Sequence, residues 1–495
     1  MKQLTLIGFL LCTIIGYGQK NKRPEQFAKT ITAEDLRNRL FIVAGPEMEG
    51  RETGSQGQKR AAAYIEDQFK QLGLQPGNQN SFQLLYDVYQ DSLTDASLNV
   101  NGTSFTLGND FYPSASNLSS TLRFSEVVFA GNNSVDSLKN MNLSGKLVMI
   151  NQPAQGGARG FGRGGIYGTI LSKGAFAILV VNPTIASSPA FSRTGNLSIN
   201  AFRRSIAPQT FTIGENVASA IAGDQFENTK SNTSFIKVLP ANILLETKKE
   251  TKNIQSSDVV GILPGTDLKD QYIVISAHYD HLGKRGNVIY YGADDDGSGT
   301  VSIIQIASAF AKAKAAGKGP RRSILFLANS GEEEGLWGSD YFTSHPTIPL
   351  NQTTADLNID MIGRIDPNRK QGDSTNYLYV VGDDKLSSDL HSISEMENNK
   401  YTKMELDYKF NDPNDKERIY YRSDHYNFAK NGVPIIFYFD GIHADYHRPS
   451  DTPDKINYNL MAKRAQLVFY TAWDMANRDA LLKRDIPLDK NIYTR

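Results

Sequence analysis

The sequence predicts an α/β protein: a mixed, largely parallel sheet flanked by helices, with a smaller, mostly β module inserted into it. Three observations carry this prediction. From about residue 250, short apolar runs alternate with a helical pattern, the rhythm of parallel strands joined by crossover helices. Residues 93–249 break that rhythm and are rich in Ser, Asn, Thr and Gly, with only short β-like runs. Finally, 495 residues are more than one ordinary domain.

Taken in chain order, Met1-Lys2, the apolar run Leu4 to Ile15 and the small residues Gly16-Tyr17-Gly18 have the layout of a signal peptide over residues 1–18. The run is short for a membrane span, and polar residues from Gln19 follow at once. Cys12, the sole cysteine, lies inside it, so the exported chain is expected to have no disulfide and no thiolate ligand. Ser55 to Leu72 reads as a helix, with Ile65, Phe69 and Leu72 on one face, Ser55 as cap and Gly73 as stop. Residues 19–92 and 250–495 are expected to form the main domain around a 93–249 insert. In the insert, Glu126 to Phe129, Lys146 to Ile150 and Ala177 to Val181 read as strands. Its tract Gly156 to Gly165 (GGARGFGRGG) reads as a surface loop and not as an RNA-binding element. Lys plus Arg equals Asp plus Glu at 53 each, so no global field favours nucleic acid or an anionic membrane.

In the second half Tyr272 to Ala277, Ser323 to Ala328, Ala355 to Met361 and Pro434 to Phe439 suit buried strands. Thr300 to Ala316 suits a helix, with Val301, Ile304 and Ala307 on one face. No segment after the leader is apolar enough for stable membrane insertion.

Five polar segments lie at the ends of these strands or in the loops beyond them. They are His278-Tyr279-Asp280-His281, Gly292 to Gly299 (GADDDGSG), Glu332-Glu333-Glu334, Asn358-Ile359-Asp360 and Asp445-Tyr446-His447. Open α/β sheets bind ligands at the carboxyl ends of their strands. Imidazoles mixed with carboxylates suit zinc. A two-metal hydrolytic centre needs one bridging carboxylate and about two further protein ligands per metal. His278, Asp295, Glu333, Asp360 and His447 supply that set, and Glu332 is an unligated carboxylate placed to move a proton. Asp294 or Asp296 competes with Asp295, and Glu334 is a third candidate in the glutamate run. His345 and His391 read as surface residues.

These motifs, with Gly335-Leu336-Trp337-Gly338-Ser339 after the glutamates and Met361-Ile362-Gly363 after Asp360, resemble the bacterial leucyl aminopeptidase family. Its members are co-catalytic di-zinc exopeptidases, with glutamate carboxypeptidase II and the transferrin receptor as relatives. Glu49 to Ser55 (EGRETGS) resembles the family's N-terminal arm, and the insert, with Gly145-Lys146-Leu147-Val148 and Gly174-Ala175, is similar to a protease-associated domain.

The resemblance implies a phosphorylase/hydrolase-like zinc-exopeptidase fold and two Zn2+ ions per chain. His278 and Asp360 would hold one ion, Glu333 and His447 the other, and Asp295 would bridge. Glu332 would be general base and acid, Asp280 would orient His278 from behind, and Tyr446 would stabilise the oxyanion. The implied reaction is removal of the N-terminal residue from a peptide with a free N-terminus, by metal-bridged hydroxide, in the periplasm or outside the cell. The resemblance also favours Glu332 and Glu333 over Glu334, through the Gly-Leu-Trp-Gly-Ser that follows. His281 and His443 read as pocket or supporting residues, not ligands. Ser423-Asp424-His425 also resembles a family segment near the active site, but adjacent residues cannot form a nucleophilic triad. A carboxypeptidase or dipeptidase is the alternative, with Arg364, Arg418, Arg422 or Arg448 gripping a terminal carboxylate. A filled ligand set weighs against an inactive receptor-like binding protein and against a single-zinc glutaminyl cyclase.

Overall fold

The computed structural model describes residues 24–132, 138, 140–151, 165–185, 193–201, 208–231 and 236–487. The signal-like leader with Cys12, and the Gly/Arg tract apart from Gly165, lie outside them. The chain divides into two compact units, one holding the residues up to Leu85 together with Ser257 onward, the other Tyr86–Ser256.

In the first unit four strands run parallel and adjacent, in the order Arg322–Asn329, Leu268–His278, Thr353–Ile359 and Ile435–Phe439. Ser256–Leu263 and Tyr377–Val381 flank them antiparallel. The central strands are largely apolar because helices cover both faces of the sheet. Ile273, Ile275, Ala277, Phe326, Leu357 and Ile359 face one core, shared with helices Gly299–Ala315 and Tyr458–Asn477. There the Phe310 and Phe469 rings lie 4.6 Å apart. Val274, Leu325, Leu327 and Phe437 face the other core, where Phe342 and Phe428 of two short helices meet at 5.7 Å. Each such side chain contributes roughly 1.5–3 kcal/mol by leaving water. The apolar rows therefore fix the register that the polar residues between them inherit.

Helix Gln56–Gln71 begins where expected, with Ser55 Oγ accepting from Gln58 N at 3.2 Å. Among the described residues no helix is long and apolar enough to cross a membrane.

The second unit is built on a mixed sheet of its own. Leu147–Asn151, Ala177–Val181 and Gln209–Ile213 run parallel at its centre, with Ser120–Gly131 parallel to the first of them. Its sheet extends past the composition break, since Tyr89–Val100 pairs antiparallel with Lys237–Asn253 over their length. Phe129, Phe211 and Phe226 fill its core.

Candidate metal centre

Sheet register makes the first half of the centre. Ser276 pairs with Asn358 across the two parallel strands, and below them Ser276 Oγ lies 2.7 Å from Asp356 Oδ1 and 2.9 Å from Asn358 Oδ1. One side-chain repeat further on, at the strand ends, His278 Nε2 stands 3.5 Å from Asp360 Oδ1. The His278 ring is buried, and its Nδ1 lies 3.2 Å from the Asp280 carbonyl oxygen and 3.6 Å from Asp280 Oδ1. A proton held on Nδ1 leaves the Nε2 lone pair facing the centre.

Asp280 is itself fixed, accepting from Thr53 Oγ1 at 2.7 Å and from Glu332 N at 3.2 Å. Beside it the fully buried Arg51 donates to the carbonyls of Tyr279 (2.6 Å), Val43 (2.9 Å), Tyr291 (2.8 Å) and Gly292 (2.9 Å). The N-terminal arm thus ties the His278 strand to the loop entering the aspartates. Nearby Asp280, Asp295 and Asp296 offset the cost of burying its charge.

The three aspartates have three different sets of contacts. Asp294 Oδ1 accepts from Gly363 N at 2.7 Å, and its Oδ2 lies 3.3 Å from His443 Nε2. Asp296 Oδ1 accepts from Gly299 N (2.8 Å) and Met361 N (3.1 Å). Asp295 alone reaches imidazoles from two loops, with Oδ1 3.3 Å from His278 Nε2 and Oδ2 3.1 Å from His447 Nε2. Proximity also groups Asp296 with His278 and Asp360. One Asp296 oxygen is committed to backbone donors, while its Oδ2, like that of Asp295, is buried without an aligned partner. Asp451 Oδ2 anchors the run from outside, accepting from Asp294 N (3.0 Å) and Asp295 N (3.2 Å). Gly292, at φ +54°, has to be glycine here, since a Cβ would fall 2.4 Å from the His281 ring.

In the glutamate run, Glu333 Oε2 lies 3.1 Å from His447 Nε2 and its Oε1 2.7 Å from His281 Nδ1. Glu332 Oε2 comes no closer than 3.9 Å to His278 Nε2, and Glu334 is exposed. His281, read from sequence as a non-ligand, is fully buried inside the cluster and edge-on to His447. Its spacing three residues after His278, just past a strand end, was the available signal. His443 Nδ1 accepts from Asp445 N at 3.2 Å, and its Nε2 lies 3.3 Å from Asp294 Oδ2. His447 takes a left-handed φ of +56°, rare for a residue with a Cβ and costing of order 1–3 kcal/mol. Arg364 steadies that loop through Asp445 at 2.9 Å. Tyr446 stacks on His447 at 3.9 Å, and its hydroxyl accepts from Arg422 at 3.2 Å. Ser423, Asp424 and His425 part company: Asp424 accepts from Ser339 Oγ, while His425 Nε2 lies 2.8 Å from the Tyr420 carbonyl oxygen.

The electrostatics call for a cation. Burial opposes charge on His278, yet Asp360, Glu332, Asp280 and Asp295 outweigh it and hold its pKa well above the usual value. His447 is likewise penalised by burial but carried up to about 10 by Asp295 and Glu333. Burial alone would raise Asp295, but His278 and His447 hold its carboxyl well below the ordinary range. Burial, reinforced by Glu333 and Asp360, raises Glu332 well above it. His278 Nε2, His281 Nδ1, Asp295 Oδ2 and Glu333 Oε1 are buried without an aligned hydrogen-bond partner. Nitrogen and carboxylate donors that converge this closely without bonding one another fit zinc.

Residues 258–472 match the profile of Peptidase family M28. Probable leucine aminopeptidases of Trichophyton verrucosum (strain HKI 0517) and Arthroderma benhamiae (strain ATCC MYA-4681 / CBS 112371) are each 30% identical over 222 residues. Each match covers 43% of this chain and 56% of the relative, so the chain spans a little over half the length of the curated relatives it matches. The aminopeptidase from Aneurinibacillus sp. strain AM-1 superimposes with a TM-score of 0.56 at 18% identity, over 94% of this chain and 99% of that one. The zinc aminopeptidase BSAP from Bacillus subtilis gives 0.56 at 17%, over 92% and 99%. At those identities the likeness is one of fold. Family match, fold and metal-type cluster coincide in the same stretch of sequence, residues 258–472, which is similar to Peptidase family M28.

Proposed function

We propose that the protein is an exported aminopeptidase that uses two zinc ions to remove the N-terminal residue of peptides. The observation that carries this reading is Asp295, whose two oxygens face imidazoles from two different loops, at 3.3 and 3.1 Å. In this reading Asp295 is the shared ligand, His278 and Asp360 complete one site, and Glu333 and His447 complete the other. Zinc bound there would supply Lewis acidity, activating water and polarising the scissile carbonyl.

The chain's own groups do the rest. Glu332, raised by burial and left without an imidazole of its own, takes the proton of the attacking water and passes it to the leaving amine. Tyr446 already accepts from Arg422, so its own proton is free for the developing oxyanion. Asp280 holds His278 and the Glu332 amide together. His281 steadies the Glu333 oxygen turned away from His447. Residues 1–18 serve as the signal peptide, leading to the periplasm or the exterior, and the insert is a protease-associated domain. Both of these readings rest on sequence resemblance.

The deciding experiment is Glu332→Gln in the zinc-loaded protein, assayed on a leucyl peptide and its N-acetyl counterpart. The variant should keep two zinc ions by elemental analysis while kcat falls about 10²–10⁴-fold. The N-acetyl peptide should resist the wild type. Near wild-type turnover in the variant, or equal cleavage of the blocked peptide, overturns the proposal.

A further inference from the structure

We propose that Arg422 makes the substrate cleft selective for a peptide carboxylate, an inference that rests on the aminopeptidase reading. One cleft is lined by Asp295, Glu332 and Asp360 at its floor and by Phe437, Phe439 and Arg422 on its walls. Arg422 is therefore the cation of a wall that is otherwise largely apolar. Its guanidinium has five donors, and one reaches the Tyr446 hydroxyl at 3.2 Å. Among the described residues it forms no ion pair with a carboxylate.

Arg448, exposed and without an ion pair among the described residues, does not line this cleft, and the other arginines near the centre have partners. Arg364 pairs with Asp445 at 2.9 Å, Arg464 donates to the Ile362 and Arg364 carbonyls and to Asp440, and Arg51 is spent on four carbonyls. Arg418 lies over the Tyr421 ring at 4.9 Å.

The position of Arg422 is also built. Its amide donates to the Ile419 carbonyl at 3.0 Å, closing a 3-10 turn. The next residue, Ser423, accepts from Asn358 Nδ2 at 3.0 Å, and Asp424 is held by Ser339. The side chain next to Arg422 in sequence is thus bonded to the strand that runs into Asp360. The Tyr446 contact steers the head group over the cleft, beside the place where the oxyanion would develop. Arg422 itself is exposed at the mouth of the cleft, where its planar fork can take a carboxylate through two parallel hydrogen bonds. The floor acids do not satisfy it, because Asp295 and Asp360 face His278 and Glu332 is held for proton transfer.

The ligand chemistry is a carboxylate within reach of the first peptide bond. Two sources qualify: the side chain of an acidic first residue, or the free C-terminus of a dipeptide. The test measures kcat/KM of the zinc-loaded protein on two matched pairs, Glu-Leu-amide against Gln-Leu-amide, and Leu-Leu against Leu-Leu-amide. At least one carboxylate-bearing member should exceed its neutral twin by about two- to fivefold, the range of an exposed charge pair. The pair that shows the preference identifies the source. In Arg422→Met that ratio should collapse toward one, whatever happens to the absolute rates through Tyr446, and Arg422→Lys should keep part of it. Equal cleavage within both pairs, or a preference that survives in Arg422→Met, overturns the proposal and leaves the aminopeptidase standing. Failure of the wild type to cleave any of the four overturns both.

Discussion

Two acidic triplets meet at the centre, and they are built on different plans. Asp294, Asp295 and Asp296 are 0%, 3% and 0% exposed, and each is held by backbone or loop partners from elsewhere in the chain. Glu332, Glu333 and Glu334 run from nearly buried to exposed, on a loop anchored through the Glu332 amide to Asp280. An aspartate carboxylate has one rotor fewer than a glutamate, so its oxygens are only as well placed as its backbone. The aspartate run therefore needs its neighbours as scaffolding, whereas the glutamate run divides its work by how far each residue sits from solvent.

The largest effect should come from the residue that serves both loops. Asp295→Ala removes the one carboxylate facing both His278 and His447, and zinc content should fall from two ions toward none, with activity lost; retention of two ions would break the comparison. Asp294→Ala and Asp451→Ala remove the acceptors for Gly363 N and for the Asp294 and Asp295 amides. Zinc affinity measured by chelator competition should weaken about 10–100-fold in each. Unchanged affinity would mean that the aspartate run is not scaffolded by these bonds.

Removing zinc exposes the charge balance that both runs share. In the stripped protein the folded-state pKa of His447 is raised from 6.5 to about 10, so its imidazolium stabilises fully below pH 6.5 and that contribution is lost as the pH rises through 10. The Tm of the zinc-free protein should fall across this window. His447→Gln should flatten the fall in differential scanning calorimetry, and an unchanged slope would refute the assignment. The smallest effect belongs to the exposed end of the glutamate run, where Glu334→Gln should leave kcat/KM unchanged and stability within about 0.5 kcal/mol.

What could be read from sequence follows the same division. The four central strands were legible because a sheet covered on both faces demands mostly apolar runs, and the strand ends then pointed to His278, Asp360 and the loops beyond. Helix Tyr458–Asn477 and strand Tyr377–Val381 were not picked out. The helix places Tyr470, Thr471 and Trp473 against its packing partners, so its apolar stripe is interrupted by polar-tipped residues. Strand Tyr377–Val381 is five residues long and carries two tyrosines. Arg51 and Asp451 were harder still. Each looks like a solvated surface residue in sequence, and their burial depends on carbonyls and amides that the fold brings from more than 150 positions away. Among three consecutive aspartates, spacing cannot tell a pinned carboxylate from a free one. What differs is the imidazoles each faces, His443 for Asp294 and both His278 and His447 for Asp295.

The reach of Arg51 has a further consequence for the order in which the protein is made. The guanidinium joins Tyr279, 228 positions later, and the whole Tyr86–Ser256 unit is synthesised in between. At about 5–20 residues per second, on the order of ten seconds or more separate the arm from its acceptors. During that interval a charge destined for a dry interior has no partner, and the helices that flank it have no sheet to pack on. The inserted unit can complete its own sheet first, so the N-terminal arm waits on a finished neighbour. The first unit closes late, around a segment that left the ribosome early.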